Sequence, residues 1–292
     1  MTTIIDGNAI SAKIRQELAV DIEAMKKKTG VVPGLAVVLA GDNPASLTYV
    51  RNKNKAARRI GMHSEQHTLP STAQLSDVLE ILLKLNSDPS IHGILVQLPL
   101  PSHIDGNAVL NAIDPDKDAD GLSPINLGRL MSGEALLKPC TPFGILKLLS
   151  CTGIRTEGMH VVVVGRSILV GKPIAVMLAE KGLDATVTLC HSKTRDLASV
   201  TRQADILIAA IGRPEFITVD MVKAGAVVID VGINRIKDSS QSKGYRIVGD
   251  VKYDEVAPKC SAITPTPGGV GPMTVTMLLY NTVLSARAHA RT

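Results

Sequence analysis

The chain is predicted to be a two-domain α/β protein, and three features of its sequence indicate this fold class. Its 292 residues exceed the usual size of a single domain. Short runs of Val, Ile, Leu and Ala alternate with amphipathic stretches, which is typical of parallel strands joined by helices. Aromatic residues make up 2% of the chain, so aliphatic side chains must build the core, as in a sheet buried on both faces.

The N-terminal half is predicted to contain three helices and two strands. Ile10, Ile14, Leu18 and Ile22 recur at helical spacing, and this stripe predicts a first helix over residues 8–28. Two further helices are expected over residues 45–60 and 75–85, and two strands over residues 35–39 and 94–96. The strands are followed by Gly- or Pro-containing turns, which end them.

The C-terminal half is predicted to be a doubly wound, Rossmann-like sheet. Four apolar runs predict its strands, at residues 160–164, 186–189, 205–210 and 226–231. A final helix over residues 273–288 is expected to pack back on the first domain. Because the composition shifts near residues 139–153, we place the first domain at residues 1–139 with 272–292, and the second at residues 140–271.

Composition and charge argue against several classes of function. The net charge of +5 is mild, and the longest basic run, Lys26-Lys27-Lys28, suits a solvated helix end better than a nucleic-acid surface. No apolar stretch has the length of a membrane span or the pattern of a signal peptide. The four cysteines form no CxxC pair, and the seven histidines show no metal-ligand spacing. We expect a cytoplasmic protein that needs no metal and binds neither nucleic acid nor membranes.

A glycine-containing turn follows the strand at residues 160–164. Gly165, Arg166 and Ser167 open this turn, which continues through Gly171 to Pro173 and is followed by an apolar helix. Backbone N–H groups at the start of a helix favour phosphate, so the turn is a candidate dinucleotide site. The spacing departs from the usual GxGxxG, and an ordinary strand–helix turn is the alternative.

The residues after the second strand of this domain indicate which dinucleotide is bound. An NAD-binding fold usually ends that strand with Asp or Glu, which binds the ribose 2′-hydroxyl. Here the strand is followed by His191, Ser192, Lys193, Thr194 and Arg195, which offer hydroxyl and basic groups and no carboxylate. A 2′-phosphate suits such a segment, so NADP is favoured over NAD, with Ser192 and Arg195 as candidate ligands.

Three residues with chemical potential share one face of the second predicted helix. Ser46, Tyr49 and Lys53 are spaced three and four residues apart, which aligns them on a helix. A tyrosine face can stack on a flat ring, and a lysine drawn into a dry cleft can lose its charge and move protons near neutral pH. By spacing alone, a solvated surface lysine and a half-buried, packed tyrosine are the default interpretation.

Five motifs then stand in collinear order over nearly the whole chain. They are SLTYVRNK (46–53), GILVQLPLP (93–101), KDADG (117–121), GRS (165–167) and PTPGGVGPMT (265–274). Together they resemble the motifs of the bifunctional methylenetetrahydrofolate dehydrogenase/methenyltetrahydrofolate cyclohydrolase family. The resemblance implies an N-terminal catalytic domain, a C-terminal NADP-binding domain, a folate substrate and a homodimer.

The resemblance also implies roles for single residues. Lys53 would be the central acid/base group, hydrogen-bonded and tuned by Gln97, and it would act in hydrolysis rather than in hydride transfer. Tyr49 would stack on the folate, Asp120 would hold its pterin ring, and Ser46 would support the site. On the cofactor side, the implied ligands are Gly165, Arg166, Ser167, Ser192 and Ile233, while the loop of Pro267, Gly268 and Gly269 would close beside the folate.

Three rival functions are kept open by the sequence. A dehydrogenase without cyclohydrolase activity would share the fold, but the complete set of Tyr49, Lys53, Gln97 and Asp120 argues against it. A catalytically silent NADP-binding module would be expected to have lost Lys53 or Gln97. An NADP dehydrogenase of hydroxy acids would usually need a catalytic histidine with a carboxylate partner, and no such pair stands out.

Overall fold

The computed structural model of the protein describes residues 1–241 and 244–290, which divide into two compact units. The N-terminal unit contains Lys13–Cys140 and the chain from Val275 onward, and the C-terminal unit contains Met1–Ala12 and Thr141–Thr274. The predicted first domain included residues 1–12, so the structure differs there. The cause is a short strand at Thr3–Ile4, which pairs with the sheet of the C-terminal unit.

Both units are built on parallel strands. The strands are β1 (Thr3–Ile4), β2 (Gly34–Ala40), β3 (His63–Leu69), β4 (Gly93–Val96), β5 (His160–Val164), β6 (Thr186–Cys190), β7 (Ile206–Ala209), β8 (Val227–Asp230), β9 (Asn234–Lys237), β10 (Tyr245–Val248) and β11 (Ala262–Ile263). All pairings in the two larger sheets are parallel, and β9 and β10 form an antiparallel hairpin. This confirms the predicted α/β class.

Helices connect most of these strands. The helices are α1 (Gly7–Thr29), α2 (Pro44–Arg59), α3 (Leu75–Ser87), α4 (Gly106–Ala112), α5 (Pro124–Met131), α6 (Cys140–Cys151), α7 (Gly171–Leu178), α8 (Leu197–Thr201), α9 (Tyr253–Val256) and α10 (Val270–His289). The predicted helices correspond to α1, α2, α3 and α10, and none of their ends differs from the prediction by more than three residues. The basic run at residues 26–28 is exposed in the last turn of α1, where cations suit the helix dipole.

The C-terminal unit has the strand order β1-β11-β8-β7-β5-β6. Chain order along the sheet reverses at β5, because β6 lies on one side of it and β7 on the other. In doubly wound sheets, ligands bind outside the carboxyl ends of the strands at such a switch point. The strands at this switch point are buried: Val161, Val162 and Val163 of β5 and all residues of β7 are shielded from solvent.

The N-terminal unit has a three-stranded sheet in the order β3-β2-β4. The central strand β2 is buried along its whole length, as its run of apolar residues predicts. Strand β3 was missed in the sequence because its residues, HSEQHTL, are mostly polar. It is an edge strand with exposed positions, so burial does not demand the apolar run by which the other strands were found.

Helix α10 passes from the C-terminal unit into the N-terminal unit, as the predicted return of the last helix requires. Its buried Asn281 donates to the carbonyl oxygens of Ala119 (2.9 Å) and Lys138 (2.8 Å). Ser285 on the same helix donates to the Asp116 carbonyl oxygen at 2.7 Å. These contacts attach the helix to the segment that carries the KDADG motif.

The KDADG segment ends in a turn that only glycine fits. Gly121 has a φ of +68°, and a Cβ added there would lie 2.5 Å from the Lys138 carbonyl carbon. Gly133 has a similar φ of +77°, but a Cβ there would meet nothing within 4 Å. Alanine substitutions at Gly121 and Gly133 therefore distinguish the effect of backbone strain from that of steric crowding.

We predict that Gly121→Ala destabilises the N-terminal unit far more than Gly133→Ala. The control should lose about 1–2 kcal/mol for a left-handed alanine, and Gly121→Ala should lose a further 1–3 kcal/mol, roughly, from overpacking. Urea unfolding, fitted with one m-value for all variants, measures both losses of unfolding free energy. Equal losses of unfolding free energy in the two variants would show that the backbone near Lys138 moves to accommodate the added Cβ, and would contradict the prediction.

Candidate active site

A buried lysine paired with a glutamine is the centre of the candidate site in the N-terminal unit. Lys53 on α2 is 9% exposed, and its Nζ donates to Gln97 Oε1 at 2.9 Å. Gln97 directly follows β4, and its Nε2 donates to the Leu98 carbonyl oxygen at 2.6 Å. The second bond fixes the amide so that its oxygen faces the lysine.

Helix α2 presents the other predicted residues of this face. Ser46 is buried near the start of the helix, and its backbone N–H donates to Asn43 Oδ1 at 3.4 Å. Tyr49 is 43% exposed, so its ring is available to a ligand. The helical spacing thus places a buried serine, an accessible aromatic ring and a buried amine in sequence along one face.

In the acidic loop that contains Asp120, the neighbouring Asp118 has a structural role. Buried Asp118 accepts from the backbone N–H groups of Gly121 (3.0 Å) and Ser123 (2.7 Å) and from Asn126 Nδ2 (3.0 Å). Lys117 Nζ caps the end of α3: it donates to the carbonyl oxygens of Leu85 and Asn86 in the last turn and of Asp88 just after the helix. Asp120 takes none of these donors, and its side chain forms a hydrogen bond with the neighbouring Cys140 thiol.

Lys53 and Asp120 perturb each other. Burial lowers the pKa of the Lys53 amine, while the negative charge of Asp120 and the neighbouring Cys140 oppose that shift. Burial raises the pKa of Asp120, while the positive charge of Lys53 opposes it. Both shifts favour the neutral forms, so this cluster can exchange a proton at a lower cost than the same groups in water.

Cys140 is a member of this cluster that the sequence patterns did not single out. Its Sγ donates to the Ala119 carbonyl oxygen at 3.2 Å, and the side chain is buried. Burial and the adjacent Asp120 raise the pKa of the thiol well above its usual range, so it stays protonated. Its place in the sequence, far from Lys53, gave no signal of this proximity.

The carboxyl end of β5 forms the candidate dinucleotide edge in the C-terminal unit. Gly165 has a φ of +124°, and a Cβ there would lie 2.0 Å from the Ala210 carbonyl oxygen just beyond β7. A Cβ on Gly171, the first residue of α7, would lie 1.9 Å from the Gly165 carbonyl oxygen. These close backbone approaches leave an exposed segment at residues 166–169, which includes Arg166 and Ser167. Such a cradle fits a pyrophosphate.

The segment after β6 carries basic groups and no available carboxylate. Ser192, Lys193 and Arg195 are exposed. The first carboxylate after them, Asp196, caps α8 by accepting from the Ser199 N–H at 3.2 Å. The edge therefore suits a phosphorylated ribose better than a free 2′-hydroxyl.

The remaining predicted residues lie in the C-terminal unit as well. Ile233 follows β8 and is 50% exposed, and its Cδ1 would touch a Cβ on Gly271 at 3.5 Å. The loop of Pro267, Gly268 and Gly269 joins β11 to α10, and the Gly268 carbonyl oxygen accepts from the Asn8 N–H at 3.1 Å. This loop is thus bonded to the first turn of α1.

Two family models match the chain, and together they cover most of it. The model described as "Tetrahydrofolate dehydrogenase/cyclohydrolase, catalytic domain" matches residues 5–120, and the model described as the "NAD(P)-binding domain" of the same family matches residues 139–290. The chain belongs to the tetrahydrofolate dehydrogenase/cyclohydrolase family. It is a bifunctional folate enzyme with an N-terminal catalytic domain and a C-terminal NAD(P)-binding domain.

Members of the family from other organisms are similar over nearly their whole length. The "Bifunctional protein FolD" of Chlorobium phaeobacteroides is 56% identical, and the match covers 97% of this chain and 98% of the relative. The solved bifunctional FolD of Campylobacter jejuni is 48% identical with a TM-score of 0.93, over 99% of both chains. The FolD of Trypanosoma brucei, solved "complexed with NADP cofactor and inhibitor", is 40% identical with a TM-score of 0.95, over 100% of this chain and 99% of that one.

Within residues 1–241 and 244–290, none of the helices combines the length and the apolar character that a bilayer crossing requires.

We predict that Lys53 titrates at lower pH than an exposed lysine and that Asp120→Asn lowers its pKa further. The substitution removes a negative charge that favours the ammonium form of Lys53, so the neutral amine should become more populated at a given pH. NMR of lysine side chains labelled at Cε measures the titration, with Lys53→Met to assign the signal. Lys55, an exposed lysine two residues along the same helix, is the control: Asp120→Asn should not change the chemical shift of its signal. An upward shift for Lys53 would contradict the prediction.

Proposed function

We propose that this enzyme oxidises 5,10-methylenetetrahydrofolate with NADP⁺ and then hydrolyses the methenyl product to 10-formyltetrahydrofolate, with Lys53 moving the proton of the second step. The observation that carries the proposal is the buried Lys53 amine held by the Gln97 amide at 2.9 Å. Family membership gives both reactions, and the T. brucei relative solved with NADP supports the cofactor.

Oxidation requires positioning more than proton chemistry. NADP⁺, when bound, accepts the hydride that leaves the methylene carbon between two folate nitrogens. Gly165, Arg166 and Ser167 would hold the phosphates at the carboxyl edge of β5, and Ser192, Arg195 and Ile233 would contact the rest of the dinucleotide. The protein's contribution to this step is to hold donor and acceptor in line and to exclude water.

Folate binding is assigned to α2 and to the KDADG loop. The accessible ring of Tyr49 would stack on the substrate, with buried Ser46 supporting the helix start beneath it. Asp120 would bind the pterin ring through hydrogen bonds, because its neighbour Asp118 is already saturated by backbone donors. Pro267, Gly268 and Gly269 would close beside the substrate.

Hydrolysis requires a proton to be taken up and released. Water adds to the methenyl carbon, a proton leaves the added water, and the ring opens as one carbon–nitrogen bond breaks. Burial favours neutral Lys53, which can accept that proton and return it to the departing nitrogen. Gln97 is a suitable partner because an amide oxygen orients the amine without adding a negative charge that would hold it protonated.

Two further properties belong to the proposal. We infer a homodimer, as the family resemblance implies, and light scattering should then give twice the chain mass of 30.9 kDa. We also infer a cytoplasmic location, in keeping with four cysteines that are all free thiols.

Lys53→Met should abolish cyclohydrolase activity first. The substitution keeps the bulk of the side chain but removes the proton carrier, so methenyl-folate decay should fall at least a hundredfold, roughly, as expected for loss of a general acid/base. Spectrophotometry follows the decay directly, without NADP, and NADPH formation from the methylene compound is assayed separately. A matched control is Lys55→Met, which removes an exposed lysine from the same helix. Normal methenyl decay in Lys53→Met would refute the role of Lys53.

Ser192→Asp should shift the cofactor preference from NADP towards NAD. A carboxylate after β6 repels a 2′-phosphate and can accept from a 2′-hydroxyl, so kcat/KM for NADP should fall tenfold or more, about 1.4 kcal/mol, while that for NAD holds or rises. Ser239→Asp, which adds the same charge at the exposed hairpin turn, should change neither. An unchanged ratio would place the 2′-phosphate elsewhere.

A further inference from the structure

Asp250 is a buried carboxylate that neither the sequence motifs nor the proposed mechanism uses. It lies between β10 and α9 with 0% of its surface exposed. Its neighbour in the fold, Asp230 at the end of β8, is 2% exposed. Carboxylates are rarely buried this deeply unless hydrogen-bonded, so the donors that face Asp250 identify its task.

Four donors converge on the Asp250 carboxylate. Oδ2 accepts from the backbone N–H groups of Ile211 (2.6 Å) and Gly212 (2.9 Å), and Oδ1 accepts from the Arg213 N–H (2.9 Å) and from Asn234 Nδ2 (2.9 Å). All four donors are neutral. Three consecutive N–H groups thus point at one side chain, which fixes the path of the backbone that carries them.

Both anchored segments lie at the carboxyl edge of the sheet. Residues 211–213 directly follow β7, where Ala210 packs against Gly165 of the phosphate turn. Asn234 follows Ile233, the proposed cofactor contact after β8. The Asp250 carboxylate therefore fixes the backbone of residues 211–213, across the switch point from Gly165. It also holds Asn234, in the segment that follows β8 at the same edge.

A second carboxylate fixes Asp250 in turn. Asp230 Oδ1 accepts from the backbone N–H groups of Asp250 (2.8 Å) and Gly232 (2.9 Å), and Oδ2 accepts from the Val251 N–H (3.0 Å). The fit is close, because a Cβ on Gly232 would lie 2.3 Å from Asp250 Oδ1. The arrangement leaves Asp250 little freedom to move.

We propose that Asp250 is a positioning residue for the dinucleotide: it holds residues 211–213 and 234 as the wall of the crevice that faces the Gly165 turn. The inference rests on the proposed binding of NADP at this edge. Asp250 does not touch the ligand in this account. Asparagine cannot replace it, because an amide turns one acceptor oxygen into an NH₂ group that faces backbone donors.

The test compares Asp250→Asn with Asp205→Asn in the full-length enzyme. Asp205 precedes β7 at the opposite edge of the same sheet, where it accepts from the His160 N–H (2.9 Å) and Lys223 Nζ (2.6 Å). Three quantities are measured: the Kd of NADPH by fluorescence, the KM and kcat of the dehydrogenase, and the NADP-independent hydrolysis of the methenyl compound. The last does not require the dinucleotide, and its proposed proton carrier, Lys53, lies in the N-terminal unit.

Asp250→Asn is expected to raise the NADPH Kd and the KM for NADP at least tenfold. Its kcat at saturating NADP should stay within threefold, and its hydrolysis rate within twofold, while Asp205→Asn should alter the Kd and KM by less than twofold. A normal Kd in Asp250→Asn would overturn the inference. So would a parallel fall of kcat and hydrolysis at unchanged KM, since that pattern indicates general loss of folded enzyme.

Asn234→Ala keeps the inference testable if Asp250→Asn does not fold. It removes one of the four donors and leaves the buried carboxylate with its three backbone partners, so a three- to tenfold rise in Kd is expected, and an unchanged Kd would overturn the inference. Failure of the proposed reactions would be seen separately, as a wild-type enzyme that binds NADPH but turns over neither folate.

Discussion

Buried aspartates that accept backbone N–H groups shape the loops on which both candidate sites depend. In the N-terminal unit Asp118 organises the turn from Gly121 to Ser123, and in the C-terminal unit Asp250 organises residues 211–213. Parallel strands end at a common edge, but the loops beyond them have no ladder to fix their path. A carboxylate with several donors supplies that order, and the cost of burying its charge is offset by charge-assisted hydrogen bonds.

Lys53 is buried in a different setting from Asp118 and Asp250. This amine is buried beside an amide rather than a saturating set of counter-charges, so burial lowers its pKa, and Asp120 reverses only part of the shift. A carboxylate in place of Gln97 would favour the ammonium form and hold the proton. The structural aspartates are thus kept in place by full hydrogen bonding, whereas the lysine is kept available by incomplete charge compensation.

The sequence predicted the parts of the fold that rest on local pattern. The apolar runs at β2, β5 and β7 and the stripe of α1 follow from burial and periodicity, and the helical spacing aligned Tyr49 with Lys53. Strand β3 was missed because an edge strand tolerates polar residues. Strand β1 was missed because two residues carry no periodicity, and its pairing with β11 joins segments about 260 residues apart along the chain. The roles of Cys140 and Asp250 depend on contacts with residues farther along the chain than any helical or strand spacing reaches.

The division of tasks between the units follows from these constraints. The proposed hydrolysis needs a tuned proton carrier, and Lys53, its partner Gln97 and the neighbouring Asp120 and Cys140 all lie in the N-terminal unit. Cofactor binding needs a shaped backbone edge, and Gly165, Asp230 and Asp250 all lie in the C-terminal unit. The two sets share no residue. A single folate enzyme can thereby combine a step governed by position with a step governed by a pKa.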